Sequence, residues 1–147
     1  MAADKIANYK IDDISEGMGY CFTKTITARD VECFAEISGD RSLLHMSDSF
    51  AHERGFQGRV VHGALLAGYI SQMIGMYLPG ENCLLQSLSI KFHAPCFIDD
   101  TVEIKARVDQ VSHGTNAMVL EVLVNNEATH SNLAKAKVHI AFLNEKR

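Results

Sequence analysis

Residues 60–80 read VVHGALLAGYISQMIGMYLPG. From residue 63 to residue 78 almost every side chain is apolar or small, with Gly68 and Gly75 inside the run and Pro79-Gly80 closing it. A helix that is apolar on all sides is expected to be buried on all sides. The two internal glycines cost about 1 kcal/mol each relative to alanine, so their presence suggests that backbone or a ligand approaches closely there. At roughly 16 residues the segment is too short to cross a bilayer as a helix. Such a helix needs a partner layer that surrounds it.

The last third of the chain supplies one. Leu88, Ile90 and Phe92 alternate with polar residues, as do Val102, Ile104, Ala106 and Val108. Met118, Leu120, Val122 and Val124 form a third set, and Ala134, Ala136, Val138, Ile140 and Phe142 a fourth. In the fourth set Lys135, Lys137 and His139 occupy the opposite face. Period-two patterning of this kind predicts antiparallel sheet with one apolar face. Upstream, GYCFTKTI at 19–26 reads as a further strand. TARD then has the shape of a capping box, with Thr27 as N-cap, Val31, Phe34, Ala35 and Ser38 following at helical spacing, and Gly39 as terminator. A short second helix is expected over residues 48–54, with Ser47 as cap and Gly55 as stop. One buried helix and a run of half-buried strands have a simple joint solution, in which the sheet wraps around the helix. The predicted class is α+β, and this version of it is the hot-dog architecture.

At 147 residues the chain is expected to form one domain over 1–147. Its net charge of −4, with no lysine or arginine cluster against the acids, argues against general nucleic-acid binding. Cys21, Cys33, Cys83 and Cys96 show no CxxC pair and no metal-ligand spacing, and read as reduced thiols. The N-terminal stretch has no apolar core of a signal peptide, and no run approaches a membrane span, so a cytoplasmic location is expected. No GxGxxG, P-loop or GxSxG is present.

The chemistry is sought where helix patterning lapses. ISGDRSLLH, residues 37–45, places the Asp40 carboxylate five residues before the His45 imidazole, just after Gly39. On a continuous helix the two side chains would lie about 140° apart. A loop lets them converge on one water, which is what general acid–base chemistry at neutral pH requires. The same spacing also suits a plain helix end, with Asp40 capping the next turn. His62 and Gly63 sit where the apolar helix should begin, and a Gly63 N–H unshielded by a side chain suits an oxyanion site. Alternatively, Gly63 only permits tight packing there. Ser71, eight residues further on, could point into a cavity or bond back to its own helix. His52, His93, His113, His130 and His139 show no ligand pattern and read as surface or strand positions.

Taken together these residues resemble the MaoC-like, (R)-specific enoyl-CoA hydratases, over about residues 26–140. That family carries a G-D-x-N-P-L-H type segment, matched here by Gly39, Asp40, Leu44 and His45. Its V-H-G-x-L-L-A type helix start is matched by Val61, His62, Gly63, Leu65, Leu66 and Ala67, and Ser71 matches a following serine. Its Q-S-L-S-x-K-F-like strand corresponds to Gln86, Ser87, Leu88, Ser89, Lys91 and Phe92. The resemblance implies that Asp40 and His45 hold a water that adds to C3 of a trans-2-enoyl thioester. It also implies that Gly63 N–H binds the thioester oxygen, that His62 belongs to the substrate-binding group, and that Ser71 supports the pocket. No metal or redox cofactor is implied, only CoA or acyl carrier protein as substrate carrier. The implied assembly is a homodimer.

One departure stands out. Ser42-Leu43 replaces the family's Asn-Pro, which removes a proline that stiffens the turn. An altered acyl substrate gains weight from this. So does a rival reading as a non-catalytic acyl-thioester-binding subunit. A hot-dog thioesterase is the other rival, although residues 63–78 lack the helix-borne carboxylate such enzymes usually carry.

Overall fold

A computed structural model describes residues 4–144. The first strand, β1 (Gly19–Thr25), leads into α1 (Ala28–Ser38). The capping box predicted for α1 is formed in full: Thr27 Oγ1 accepts from Asp30 N at 3.2 Å, and the Asp30 carboxylate accepts from Thr27 N at 2.8 Å. Gly39 ends α1 with φ +77°, a left-handed conformation natural to glycine, and its N–H donates to Ala35 O. The short helix predicted over 48–54 appears as α3 (Asp48–Glu53), with Ser47 Oγ accepting from Phe50 N. Between them lies α2 (Leu43–Met46), a single turn that the sequence pattern did not predict because four residues are too few to show helical periodicity.

The apolar run forms α4 (Gly63–Gln72), followed by a π-helical turn over Met73–Tyr77. This corrects the expectation of one regular helix over 63–78. The wider turn inserts a residue into the helical register, so that Leu78 is buried at 2% exposure while Tyr77 turns to stack on Tyr20, ring centroids 4.6 Å apart. The expected burial on all sides is also corrected. Leu66, Tyr69, Ile70, Met73 and Ile74 face the core, whereas Ala64, Gly68 and Ser71 form an exposed line along the helix. Nor does anything crowd the internal glycines, since a Cβ built at Gly68 or Gly75 would meet no atom within 4 Å. Within one chain the sheet covers only one side of this helix.

The remaining strands are β2 (Cys83–Phe92), β3 (Thr101–Ser112), β4 (Ala117–Asn126) and β5 (Asn132–Phe142). They form one antiparallel sheet in the order β1-β3-β4-β5-β2. The alternation sets out its two faces: Val102, Ile104, Ala106 and Val108 of β3, Leu120, Val122 and Val124 of β4, and Ala136, Val138 and Ile140 of β5 are buried. They share one core with the inward residues of α4, each large aliphatic contributing about 1.5–3 kcal/mol on burial. This is the wrapped-sheet arrangement expected from the sequence. The edge strand β2 runs alongside α4. At one end Cys83 Sγ lies 3.6 Å from Ile74 O, and at the other the Phe92 ring sits over Gly63. Its Leu84, Leu85 and Phe92 are exposed. No helix among the described residues is long and apolar enough to cross a membrane.

Candidate active site

The segment after α1 is turned by its own side chains. Ser38 Oγ accepts from Asp40 N at 3.1 Å, and Asp40 Oδ1 accepts from Ser42 N at 3.1 Å, an Asx-type turn. Ser42 then stands at φ −52°, ψ 137°, and α2 begins at Leu43. The turn carries Asp40 outward, with half of its side chain exposed (50%), and sets His45 inward at 16% exposure. Asp40 Oδ2 and His45 Nε2 lie 3.8 Å apart. That is too long for a direct hydrogen bond, but one water oxygen can reach both.

The His45 ring is held from positions far along the chain. Its Nδ1 lies 2.7 Å from Val60 O. A carbonyl oxygen only accepts, so Nδ1 carries the proton and Nε2 presents its lone pair toward Asp40. Val60 is itself fixed by a bridge to Phe97 and by its N–H, which donates to Leu44 O. Arg59 ties down the back of α2, its Nε donating to His45 O at 2.6 Å and its guanidinium lying 3.8 Å from Glu32 of α1.

His62 completes the support. It is 2% exposed, its Nε2–H donates to the backbone oxygen of Asp40 at 2.9 Å, and its ring stacks on His45 with centroids 3.9 Å apart. Phe34 of α1 packs on the other ring contact at 4.8 Å. His62, expected among the substrate contacts, is not among the residues lining the open cleft described below; it braces the turn that carries Asp40. The ligand atoms of Asp40, His45 and His62 fall within 4.8 Å of one another. Stacked imidazoles, here 27° from parallel, hold their lone pairs in separate planes, so both rings do not aim at one ion.

Beside His45 opens a cleft of about 410 Å³, lined by Val61, Gly63, Leu66, Phe92 and the 93–96 segment. Gly63 is the first residue of α4, and no side chain caps that helix end. Its N–H therefore has no carbonyl within the helix to bond. A Cβ at Gly63 would come within 2.9 Å of the Phe92 ring, so any other residue would push that ring aside. The structure thus brings Asp40, His45 and Gly63 to one region. It does not bring Ser71 there: Ser71 is exposed on the far side of α4 and is absent from the cleft. A position eight residues past Gly63 falls here on the uncovered face of α4.

Three cleft residues escaped the sequence reading. His93, read as a surface or strand position, is exposed and also lines the cleft together with Pro95 and Cys96. Their signal would have been their adjacency to Phe92 just past the end of β2. Burial pushes the Cys96 thiol up to about 12, with the Asp100 carboxylate adding to it, so this thiol is inert. Burial likewise pushes the Tyr69 hydroxyl up to about 12, with Asp30 and Cys96 contributing.

The profile of the family described as "MaoC like domain" matches residues 13–132. The (R)-specific enoyl-CoA hydratase of Rhodospirillum rubrum is 38% identical over 102 residues, which is 69% of this chain and 71% of that protein. The 3-hydroxybutyryl-CoA dehydratase of Methylorubrum extorquens is 39% identical over 100 residues, 68% of this chain and 64% of that protein. Among solved structures, an unliganded R-hydratase of Pseudomonas aeruginosa superposes with a TM-score of 0.88 at 25% identity, covering 95% of this chain and 89% of that one. An (R)-hydratase of Aeromonas caviae involved in PHA biosynthesis gives 0.84 at 25% identity, over 88% of this chain and 97% of that one.

Proposed function

The chain belongs to the MaoC-like domain family, and on that footing we propose that it is an (R)-specific enoyl-CoA hydratase. It adds water reversibly to a trans-2-enoyl thioester to give the (R)-3-hydroxyacyl thioester. The observation that carries this reading is the 3.8 Å gap between Asp40 Oδ2 and His45 Nε2, beside a cleft that also receives the open N-terminus of α4. Both atoms are acceptors, so a water between them donates both of its protons and turns its lone pair toward the cleft. As the O–C3 bond forms, the π pair moves toward the thioester oxygen, where the Gly63 N–H meets the growing enolate charge. The pair takes one water proton, and a proton is delivered to C2. The reaction so drawn needs no metal or redox cofactor, only a thioester carrier such as CoA or an acyl carrier protein.

The test is hydration of crotonyl-CoA, followed at the enoyl absorbance. Asp40→Asn and His45→Ala are each expected to lose about 10²–10⁴-fold in kcat. Full activity in either variant overturns the assignment. A thioesterase reading has less support, because α4 and its π turn carry no carboxylate. Release of free thiol without hydration would favour it.

We also propose that the protein is a cytoplasmic homodimer. Leu84 and Leu85 of the edge strand β2 are exposed, and so are Ala64, Gly68 and Ser71 of α4. A second copy packed on these residues buries them and removes an open sheet edge. Ser71 then acts at the subunit contact. Sedimentation is expected to give a dimer for the wild type and monomer for Leu85→Glu. An unchanged mass for the variant would refute this surface.

A further inference from the structure

A second cleft, of about 420 Å³, lies on the outer face of the sheet and meets the first at His93, which lines both. Ser89 and Lys91 of β2 and His93 just past its end follow one another over about 13 Å of extended chain, with Lys135 and Lys137 of β5 lining the same cleft. Lys91 pairs directly with Lys135 in the sheet register. Like charges placed opposite each other destabilise a sheet, so this pairing calls for a compensating anion. The two acids of the cleft do not supply it to every cation. Glu121 lies 3.7 Å from Lys135, and Asp109 lies 3.6 Å from Arg107. Among the described residues no ion pair holds Lys91 or Lys137. Lys137 stands opposite Glu121 in the register of β4 and β5, yet Glu121 makes its ion pair with Lys135. In a chain of net charge −4, two ammonium groups with no ion pair of their own thus flank a groove that shares His93 with the first cleft.

We propose that Lys91 and Lys137 bind the phosphate groups of CoA, with the pantetheine arm passing His93 to reach Gly63. This rests on the hydratase reading and names the carrier, which that reading leaves open. Lysine binds phosphate as a point charge, and phosphates on a flexible arm can reach two ammonium groups while leaving Glu121 and Asp109 to their own ion pairs with Lys135 and Arg107. An acidic carrier protein has to cover the whole face, where those two carboxylates repel it.

The experiment compares crotonyl-CoA with crotonyl-pantetheine, which lacks every phosphate. Lys91→Ala and Lys137→Ala are each expected to raise KM for crotonyl-CoA about three- to fivefold, and the double variant about tenfold or more, with kcat unchanged. KM for crotonyl-pantetheine stays at the wild-type value, and Lys105→Ala on β3 changes neither. Added salt raises KM for crotonyl-CoA in the wild type and does so less in the double variant. An unchanged KM for crotonyl-CoA, an equal rise with both thioesters, or a larger loss with a crotonyl-carrier protein overturns the proposal. Calorimetry with CoA alone keeps the two readings apart. Weaker CoA binding by the double variant supports the lysine site even if neither thioester is hydrated, and unchanged binding refutes the site whatever the activity.

Discussion

Asp40 and His45 face one another, yet the two sides of the pair are built by different means. The Asp40 side is local: every hydrogen bond that shapes the turn around it, apart from one, spans four residues or fewer. The His45 side is held from a distance, by Val60 fifteen residues on at Nδ1, by Arg59 at its backbone oxygen and by the His62 ring against its face. The exception on the Asp40 side is again His62, through its bond to the Asp40 carbonyl. A local turn sets the direction of the acid, and a nonlocal brace sets the distance to the base. His62, from the start of α4, touches both.

The largest effect should therefore come from His62. His62→Ala removes a buried ring and strips the Asp40 carbonyl of its donor, at an expected cost of about 3 kcal/mol or more in stability. His62→Phe keeps the volume and the ring contact with His45 but not the hydrogen bond, and should cost about 1 kcal/mol. If His62 works as a brace, His62→Phe lowers kcat for crotonyl-CoA at least tenfold and leaves KM close to wild type. A rise in KM with kcat intact would instead return His62 to the substrate-binding group. Denaturant midpoints measured beside the kinetics separate folding loss from misalignment.

This asymmetry also explains what could be read from the sequence. Thr27, Asp30 and Gly39 signal the two ends of α1 because capping is a matter of four consecutive residues, and the structure shows both ends where the pattern puts them. The strands are legible for the same reason, since alternation records which face meets the core. The face of α4 is different. Ala64, Gly68 and Ser71 are as small as a buried stripe, yet they lie open in one chain. Composition records that a surface is to be covered, not whether the cover comes from the same chain. His93 and Arg59 were invisible because their roles depend on which segments the fold brings together.

A smaller effect is expected at the start of α1, whose far end carries Asp40. Burial pushes the Asp30 carboxyl up, but the Thr27 N–H and hydroxyl and the Lys24 ammonium outweigh it, and the group lies below its ordinary 3.8. A carboxyl depressed in the folded state contributes stability above its unfolded value, and that contribution disappears as pH falls through the folded value. Urea midpoints should thus fall from pH 5 toward pH 3, and Asp30→Asn should flatten that slope. Thr27→Ala should cost about 1 kcal/mol at pH 7. An acid slope unchanged in Asp30→Asn would place the acid-sensitive carboxylates elsewhere.

The smallest effect carries the opposite sign and concerns Ser42-Leu43, where this chain departs from the family's Asn-Pro. Losing the proline was expected to free the turn. The structure shows a backbone that a proline would fit unchanged. Ser42, at φ −52° and ψ 137°, already has the extended conformation that a following proline imposes. Leu43 is the first residue of α2, where a proline's missing N–H removes no helical bond. Its side chain is 56% exposed, so little packing is lost. The Asx turn at Asp40 and the His62 brace hold in this chain the geometry a proline would pre-set. Leu43→Pro should therefore raise stability by about 0.4–1 kcal/mol, through the unfolded chain alone, and leave kcat for crotonyl-CoA unchanged. A variant that gains stability but loses kcat would show that the turn has to move during the reaction. In that case the family's proline and this chain's Ser42-Leu43 would differ in dynamics as well as in sequence.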